Sequence, residues 1–158
     1  MATADIRHAE FPRDTGEVRA LFQEYADGLG VDLGFQGFDA EVAELPGKYA
    51  APGGRLLLAW HGDEAVGCIA MRRIDGELCE MKRLYVRPQA RGESLGRRLV
   101  ERLCDEARRA GYARICLDTL ASMASAQRLY ESMGFKSTDP YVYNPLPGTR
   151  FLSLDLAE

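Results

Sequence analysis

The sequence has only two histidines and four cysteines, and neither set is spaced for metal chemistry. Cys68, Cys79, Cys104 and Cys116 form no CxxC pair, and His8 and His61 stand near none of them, so no metal site is expected. Each cysteine falls in an apolar stretch, where a free thiol behaves as a small hydrophobe. Positive charge is not in excess: 20 Lys+Arg against 24 Asp+Glu leave a net charge of −4. A nucleic acid or an anionic lipid surface gripped by overall charge is therefore not an expected partner. No apolar run approaches the ~20 residues that span a bilayer. Residues 1–10 alternate polar and apolar and lack the apolar core of a signal peptide. The expectation is a soluble, cytoplasmic protein in a reducing compartment. Internal repeats, low-complexity tracts and long linkers are missing too.

What is present is the composition of a packed protein, 46% hydrophobic and 28% charged over 158 residues. That length predicts a single domain, 1–158, with a core that needs no disulfide. Ile6 to Ala9 reads as a strand ended by Pro12. Asp14 caps a helix with Glu17 in capping-box spacing, and Val18, Leu21, Phe22 and Tyr25 form its apolar face. Four glycines make Gly28 to Gly37 a loop, and a second helix is predicted over Asp39 to Tyr49, with Pro46 and Gly47 able to end it early. The period then changes. Leu56 to Trp60, Ala65 to Arg72 and Leu78 to Val86 read as an antiparallel meander, turned at His61-Gly62-Asp63 and Asp75-Gly76. Ser94 to Ala110 places Leu95, Leu99, Leu103 and Ala107 on one helical face, closed by Gly111. Arg114 to Thr119 is a strand, Ser122 caps a helix with the face Ala126, Leu129, Tyr130 and Met133, and Arg150 to Leu156 is a last strand. A mixed sheet with helices on it follows.

The chemistry concentrates in Glu80-Met-Lys-Arg-Leu-Tyr-Val-Arg-Pro-Gln-Ala-Arg-Gly-Glu-Ser-Leu-Gly-Arg-Arg-Leu-Val100. A strand enters a loop with Gly92 and Gly96, and the loop opens directly onto a long helix. Unpaired N–H groups at the positive end of a helix dipole attract anions. Arg87, Arg91, Arg97 and Arg98 add positive charge locally in an acidic chain, which suits a polyanionic small ligand. The spacing is neither a Walker loop nor a dinucleotide fingerprint.

Leu84-Tyr-Val-Arg-Pro-x-x-Arg-Gly-x-x-Leu-Gly96 resembles the acyl-CoA loop of the GNAT N-acetyltransferase superfamily. Ala126-Gln-Arg-Leu-Tyr130-Glu-Ser-Met-Gly-Phe135 resembles its second motif, and the two occur in the family's order. The resemblance implies an α/β (α+β) fold, a mixed, mostly antiparallel twisted sheet of six to seven strands flanked by about four helices. It implies acetyl-CoA as co-substrate, no metal, and a small-molecule primary amine or amino acid attacking directly in a ternary complex. Leu84, Tyr85 and Val86 would grip the pantetheine arm. The pyrophosphate would rest on Arg91, Gly92, Glu93, Ser94, Leu95, Gly96 and Arg97. Ser94 departs from the family's loop glycine; a serine tolerates a helix-cap position, and its hydroxyl can bond a phosphate or a helix amide.

By the same resemblance Tyr130 is the acid for the leaving thiolate and Glu80 the candidate base. The plainer alternatives are a core tyrosine on its helical face and a strand carboxylate paired with Lys82 or Arg83. Strand parity sets Glu80 on one face with Lys82, Leu84 and Val86 unless a bulge intervenes. The acceptor pocket falls to Gly28–Phe38 and to the Pro-rich segment after Asp139, where Tyr141, Tyr143, Asn144 and Arg150 either line a small polar pocket or cap the sheet. A bacterial subgroup of unassigned substrates has a similar tail. Two other functions remain open here, acetylation of a protein lysine or N-terminus and acyl-CoA binding without catalysis. A homodimer is allowed by the sequence.

Overall fold

A computed structural model describes residues 3–156. Its strands are β1 (Asp5–His8), β2 (Arg55–His61), β3 (Glu64–Arg73), β4 (Leu78–Val86), β5 (Arg114–Thr119), β6 (Lys136–Ser137) and β7 (Arg150–Asp155). The α-helices are α1 (Thr15–Leu29), α2 (Phe38–Ala43), α3 (Leu95–Arg109) and α4 (Ala124–Ser132). The strands form one seven-stranded sheet in the order β1-β2-β3-β4-β5-β7-β6. Neighbours are antiparallel except β4 and β5, which run parallel. This is the mixed, mostly antiparallel fold that the sequence predicts.

Both sheet faces are covered. Leu95, Leu99, Val100, Leu103 and Ala107 of α3 join Tyr130 of α4 in one apolar cluster. Val18, Leu21 and Phe22 of α1 join Phe38 and Tyr49 in a second cluster on the opposite face. Residues 56–59 and 65–71 are buried throughout, because helices lie above and below them.

Several elements differ from expectation. α1 continues past Gly28 to Leu29 and closes at Gly30, since Tyr25 and Leu29 extend its packed face. Asp14 precedes the helix but makes no side-chain cap. Its carboxylate instead accepts the Glu10 amide at 2.8 Å and ties down the preceding turn. The second helix stops at Ala43, and a 3-10 turn over Gly47–Tyr49 follows Pro46. Met123, not Ser122, stands at the cap of α4. β6, with two residues, is too short to leave a sequence pattern.

The most consequential departure is in β4. The register against β3 shifts between Cys68 and Ala70, and Arg83 on β4 takes φ +64°. The extra residue is a β-bulge, and it reverses strand parity beyond it. Glu80, Lys82, Arg83 and Tyr85 thus face α1 and α2, while Leu84 and Val86 pack against the α3 core. The expected grouping of Glu80 with Leu84 and Val86 is therefore corrected. Gly67 lies opposite, where a Cβ would meet the Tyr85 carbonyl oxygen at 3.0 Å, so the bulged strand requires a glycine there.

Arg83 is held by a bidentate pair with Glu41, Nε to Oε2 at 2.8 Å and Nη2 to Oε1 at 2.9 Å. Burial pushes the Glu41 carboxyl up, but Arg83 and Lys48 outweigh it and hold the pKa below the usual carboxylate range. Glu41→Gln leaves a buried guanidinium without its counter-charge, and is expected to cost about 3 kcal/mol, or roughly 6–12 °C of melting midpoint. The lowered pKa sets the sign with pH. The contribution is complete above the unfolded pKa of about 4.3 and is lost as pH falls through the lower folded value. Melts of wild type and variant should diverge at neutral pH and converge in acid; a constant gap would contradict the assignment.

Candidate active site

β4 and β5 pair only at Leu78 with Arg114, Cys79 with Ile115 and Glu80 with Cys116. Past Glu80 the two strands separate, while β5 remains paired to β7 through Thr119. The β5-facing backbone edge of residues 81–86 consequently has no strand partner, and a narrow slot of about 30 Å³ opens between Leu84, Leu117, Met123 and Tyr130. A second cavity, about 210 Å³, lies on the α2 side against Phe35, Arg72, Glu80 and Tyr143. Gln36, Lys82 and Asp118 border both.

The loop after β4 ends in an anion-receptive turn. Gly92 has φ +101° and Ser94 φ +58°. The first helical bond of α3 runs from the Arg98 amide to the Ser94 carbonyl at 3.1 Å, and among the described residues no partner satisfies the amides of 92–97. The Ser94 hydroxyl does not cap the helix. Its left-handed backbone instead accounts for the glycine preferred at that place in the loop motif. Leu95 sends its side chain into the core, and Gly96 lets Leu129 of α4 approach.

The arginines divide by role. Arg87 pairs with Glu24 at 2.8 Å and donates to the Ala65 carbonyl at 2.7 Å. Arg98 donates to the Ala4 carbonyl at 2.7 Å. Those two are engaged by the fold. Arg91 is exposed beside the loop, with its Nε donating to the Val86 carbonyl at 3.0 Å, and Arg97 reaches Ser132 Oγ at 2.6 Å on α4. The Glu93 carboxylate turns away to the Ala4 amide at 3.1 Å and to His61 at 3.3 Å, so only its backbone faces the turn. Tyr85 points across the sheet to Glu24 at 3.2 Å.

Tyr130 is 4% exposed, its ring packs on Phe135 with centroids 5.6 Å apart, and it borders the slot. Burial, with Tyr25 and Asp118 nearby, pushes its phenol pKa well up, so the group is a proton donor at every physiological pH. Its hydroxyl makes no hydrogen bond among the described residues. Glu80 is 1% exposed and both oxygens are engaged: Arg72 Nε donates to Oε1 at 2.7 Å, and Tyr141 Oη to Oε2 at 2.8 Å. Asp118 accepts Asn144 Nδ2 at 3.0 Å through Oδ2. Lys82 donates to Gln36 Oε1 at 3.2 Å, and burial pushes its ammonium pKa down to about 8.

Of the residues named for the acceptor pocket, Tyr141, Tyr143 and Asn144 do meet the site. Tyr143 stacks edge-on against Phe35 at 6.4 Å, and Asn144 also accepts the Leu146 amide at 3.0 Å, fixing the loop. Arg150 does not. It pairs with Glu131 at 3.1 Å and donates to Gln127 at 3.2 Å, drawn across β7 to α4 by that carboxylate. Sequence reasoning missed Asp118, Lys82, Gln36 and Arg72. A carboxylate inside the apolar strand Ile115-Cys-Leu-Asp-Thr119 was the available signal for Asp118.

Comparison with known proteins bears on this arrangement. The profile of the Acetyltransferase (GNAT) family matches residues 18–135. An uncharacterised N-acetyltransferase of Schizosaccharomyces pombe is 42% identical over 156 residues, covering 97% of this chain and 95% of its own. Among solved structures, a GNAT-family acetyltransferase of Staphylococcus aureus superposes with a TM-score of 0.82 at 20% identity, over 98% of this chain and 100% of that one. A Salmonella typhimurium protein solved with its cofactor acetyl-CoA superposes with a TM-score of 0.74 at 24% identity, over 99% and 96%.

Proposed function

Because the chain belongs to the acetyltransferase (GNAT) family, and is an acetyl-CoA-dependent N-acetyltransferase, we propose that it acetylates the primary amine of a small molecule or amino acid by direct attack in a ternary complex. The observation that carries this reading is a continuous one. Free amides at the start of α3 lie beyond the end of the unpaired β4 edge, which leads to a slot holding Tyr130. Amides of residues 92–97 receive the pyrophosphate, with the Arg91 side chain beside them, and Leu84, Tyr85 and Val86 hold the pantetheine arm through backbone groups. The slot beside Tyr130 is the narrower of the two spaces and takes the pantetheine arm, and the acceptor enters from the larger cavity.

Asp118 borders both spaces, so it faces the amine at the point of attack. We assign the amine proton to Asp118 rather than to Glu80, whose oxygens already accept from Arg72 and Tyr141. Glu80 then supplies fixed negative charge and orients Tyr141. Asp118 takes one proton from the bound ammonium; the free amine then forms its bond to the acetyl carbon as the carbon–sulfur bond breaks, Tyr130 donates a proton to sulfur, and the second nitrogen proton, released as the amide forms, restores the Tyr130 hydroxyl. The acceptor cavity is walled by Val142 and Tyr143, which favours a small acceptor over a protein segment. Free, buried cysteines suit the reducing cytoplasm in which we place the enzyme.

The test is a single-turnover assay of the purified chain with labelled acetyl-CoA and a panel of primary amines. Label should appear in an acetylated amine. Acetyl-CoA binding with no transfer to any acceptor would instead support a binding module.

The loop makes a separate prediction. A side chain at φ +101° is strained by about 1–2 kcal/mol, so Gly92→Ala should weaken CoA about tenfold by calorimetry. Ser94→Gly, which accepts the left-handed backbone freely, should bind CoA at least as tightly as wild type. Equal affinities in all three proteins would remove the turn from the binding site.

A further inference from the structure

Lys82 on β4 and Asp118 on β5 border the same two cavities from opposite sides of the parting strands. They carry opposite charges, yet among the described residues they do not pair with each other. The other charges around them are each in an ion pair. Arg72 is on Glu80 at 2.7 Å, and Arg83 and Lys48 both bind Glu41, at 2.8 and 3.2 Å. Among the described residues Lys82 hydrogen-bonds only the neutral Gln36 oxygen, which also accepts from Arg83, and Asp118 only the neutral Asn144 amide, which leaves its Oδ1 unpaired. Partly desolvated charges facing one space, each without a counter-ion, are costly unless a ligand brings both complements.

We infer that the acceptor is an α-amino acid bound as its zwitterion, with its carboxylate on the Lys82 ammonium and its amino group at Asp118. This rests on the acetyl-transfer reading above and names the acceptor class of that same site. One α-amino acid brings an anion and a cation together into the space that both residues border. A diamine would set a second cation against Lys82, and a dicarboxylate would set an anion against Asp118. Burial that lowers the Lys82 pKa is relieved by an arriving carboxylate, which is the coupling such a site needs. The rest of the wall has two characters: Lys48, Arg72 and Glu80 line one part, and Phe35, Val142 and Tyr143 form an apolar part where Phe35 and Tyr143 meet edge-to-face, with Tyr143 75% exposed. An apolar or aromatic acceptor side chain would rest on the Phe35, Val142 and Tyr143 part of the wall.

The experiment uses matched sets: phenylalanine, leucine and methionine, each beside its α-amide and its decarboxylated amine, with acetyl-CoA and the full chain. A charge-assisted contact to the carboxylate should favour the amino acid over both analogues by about tenfold to a hundredfold in kcat/KM. In Lys82→Met, which keeps an unbranched apolar stem, that ratio should collapse to a few-fold. Wild type acetylating all three forms equally, or preferring the amine, overturns the inference while acetyl transfer stands. An undiminished preference in Lys82→Met overturns the carboxylate site. Transfer to no amine of any kind overturns the acetyl-transfer reading itself. If the variant fails to fold, the wild-type comparison alone decides.

Discussion

Asp118→Asn should lower kcat/KM by about two to four decades at neutral pH, the range of a lost general base. The substitution is nearly isosteric, and Asn144 can rotate its amide to keep a hydrogen bond to position 118. Folding should be little changed, so the loss belongs to the chemistry. An alkyl ammonium titrates near ~10, and only the free base attacks. Without a carboxylate at the reacting nitrogen, the variant depends on amine deprotonated in bulk water. Its rate should climb about tenfold per pH unit toward pH 10, while the wild-type profile flattens earlier. Glu80→Gln is the companion experiment. That carboxylate holds Arg72 and Tyr141, so its loss should disturb acceptor binding and raise KM by a similar factor at every pH. If Glu80→Gln shows the pH-dependent recovery and Asp118→Asn does not, the base is Glu80.

Tyr130→Phe should lower kcat by about one to three decades without a matching loss of acetyl-CoA affinity. The ring keeps its packing on Phe135, and only the hydroxyl is removed. That hydroxyl has no hydrogen-bond partner among the described residues, and its residue borders the slot, so removing it breaks no hydrogen bond of the fold. The melting midpoint should therefore hold steady. A loss of rate with no loss of stability is the signature of a group held for chemistry. The size of the effect is bounded by the acidities involved. A thiol of ordinary pKa near ~8.5 leaves, against a tyrosine ordinarily near ~10, and burial pushes Tyr130 higher still. Transfer is uphill and needs a hydrogen bond aimed at the sulfur before the bond breaks. A donor whose leaving thiol is more acidic needs less help, so the defect should shrink with it. Wild-type turnover by Tyr130→Phe would make Tyr130 a core residue and give the proton to water.

Much of the framework was legible because it is local. The four-residue spacing of Leu95, Leu99, Leu103 and Ala107 places α3 whatever surrounds it, and the turns at Gly62 and Asp75-Gly76 depend on neighbouring residues alone. The junction of β4, the Gly92 turn and α3 is one continuous stretch of chain, so its anion-receptive amides could be read before any contact was known. β6 escaped notice because two residues carry no period, and the α1 terminus because Gly28 is tolerated inside an otherwise well-packed helix.

The sequence by itself determined the order of elements, the alternation of apolar faces and the family motifs around Leu84–Gly96 and Ala126–Phe135, all carried by residues close along the chain. Only the tertiary structure decided which charges meet. A positive φ at Arg83 persists because Glu41, 42 residues away, holds the guanidinium. That bulge turns Lys82 and Arg83 onto one face. Arg150 leaves the pocket because Glu131 on α4 competes for it. Glu80 is claimed by Tyr141 from 61 residues away, whereas Asp118, the one carboxylate of the apolar strand β5, ends at the opening with an oxygen unpaired among the described residues. Coulomb energy depends on distance in space and on burial, and neither follows from spacing along the chain.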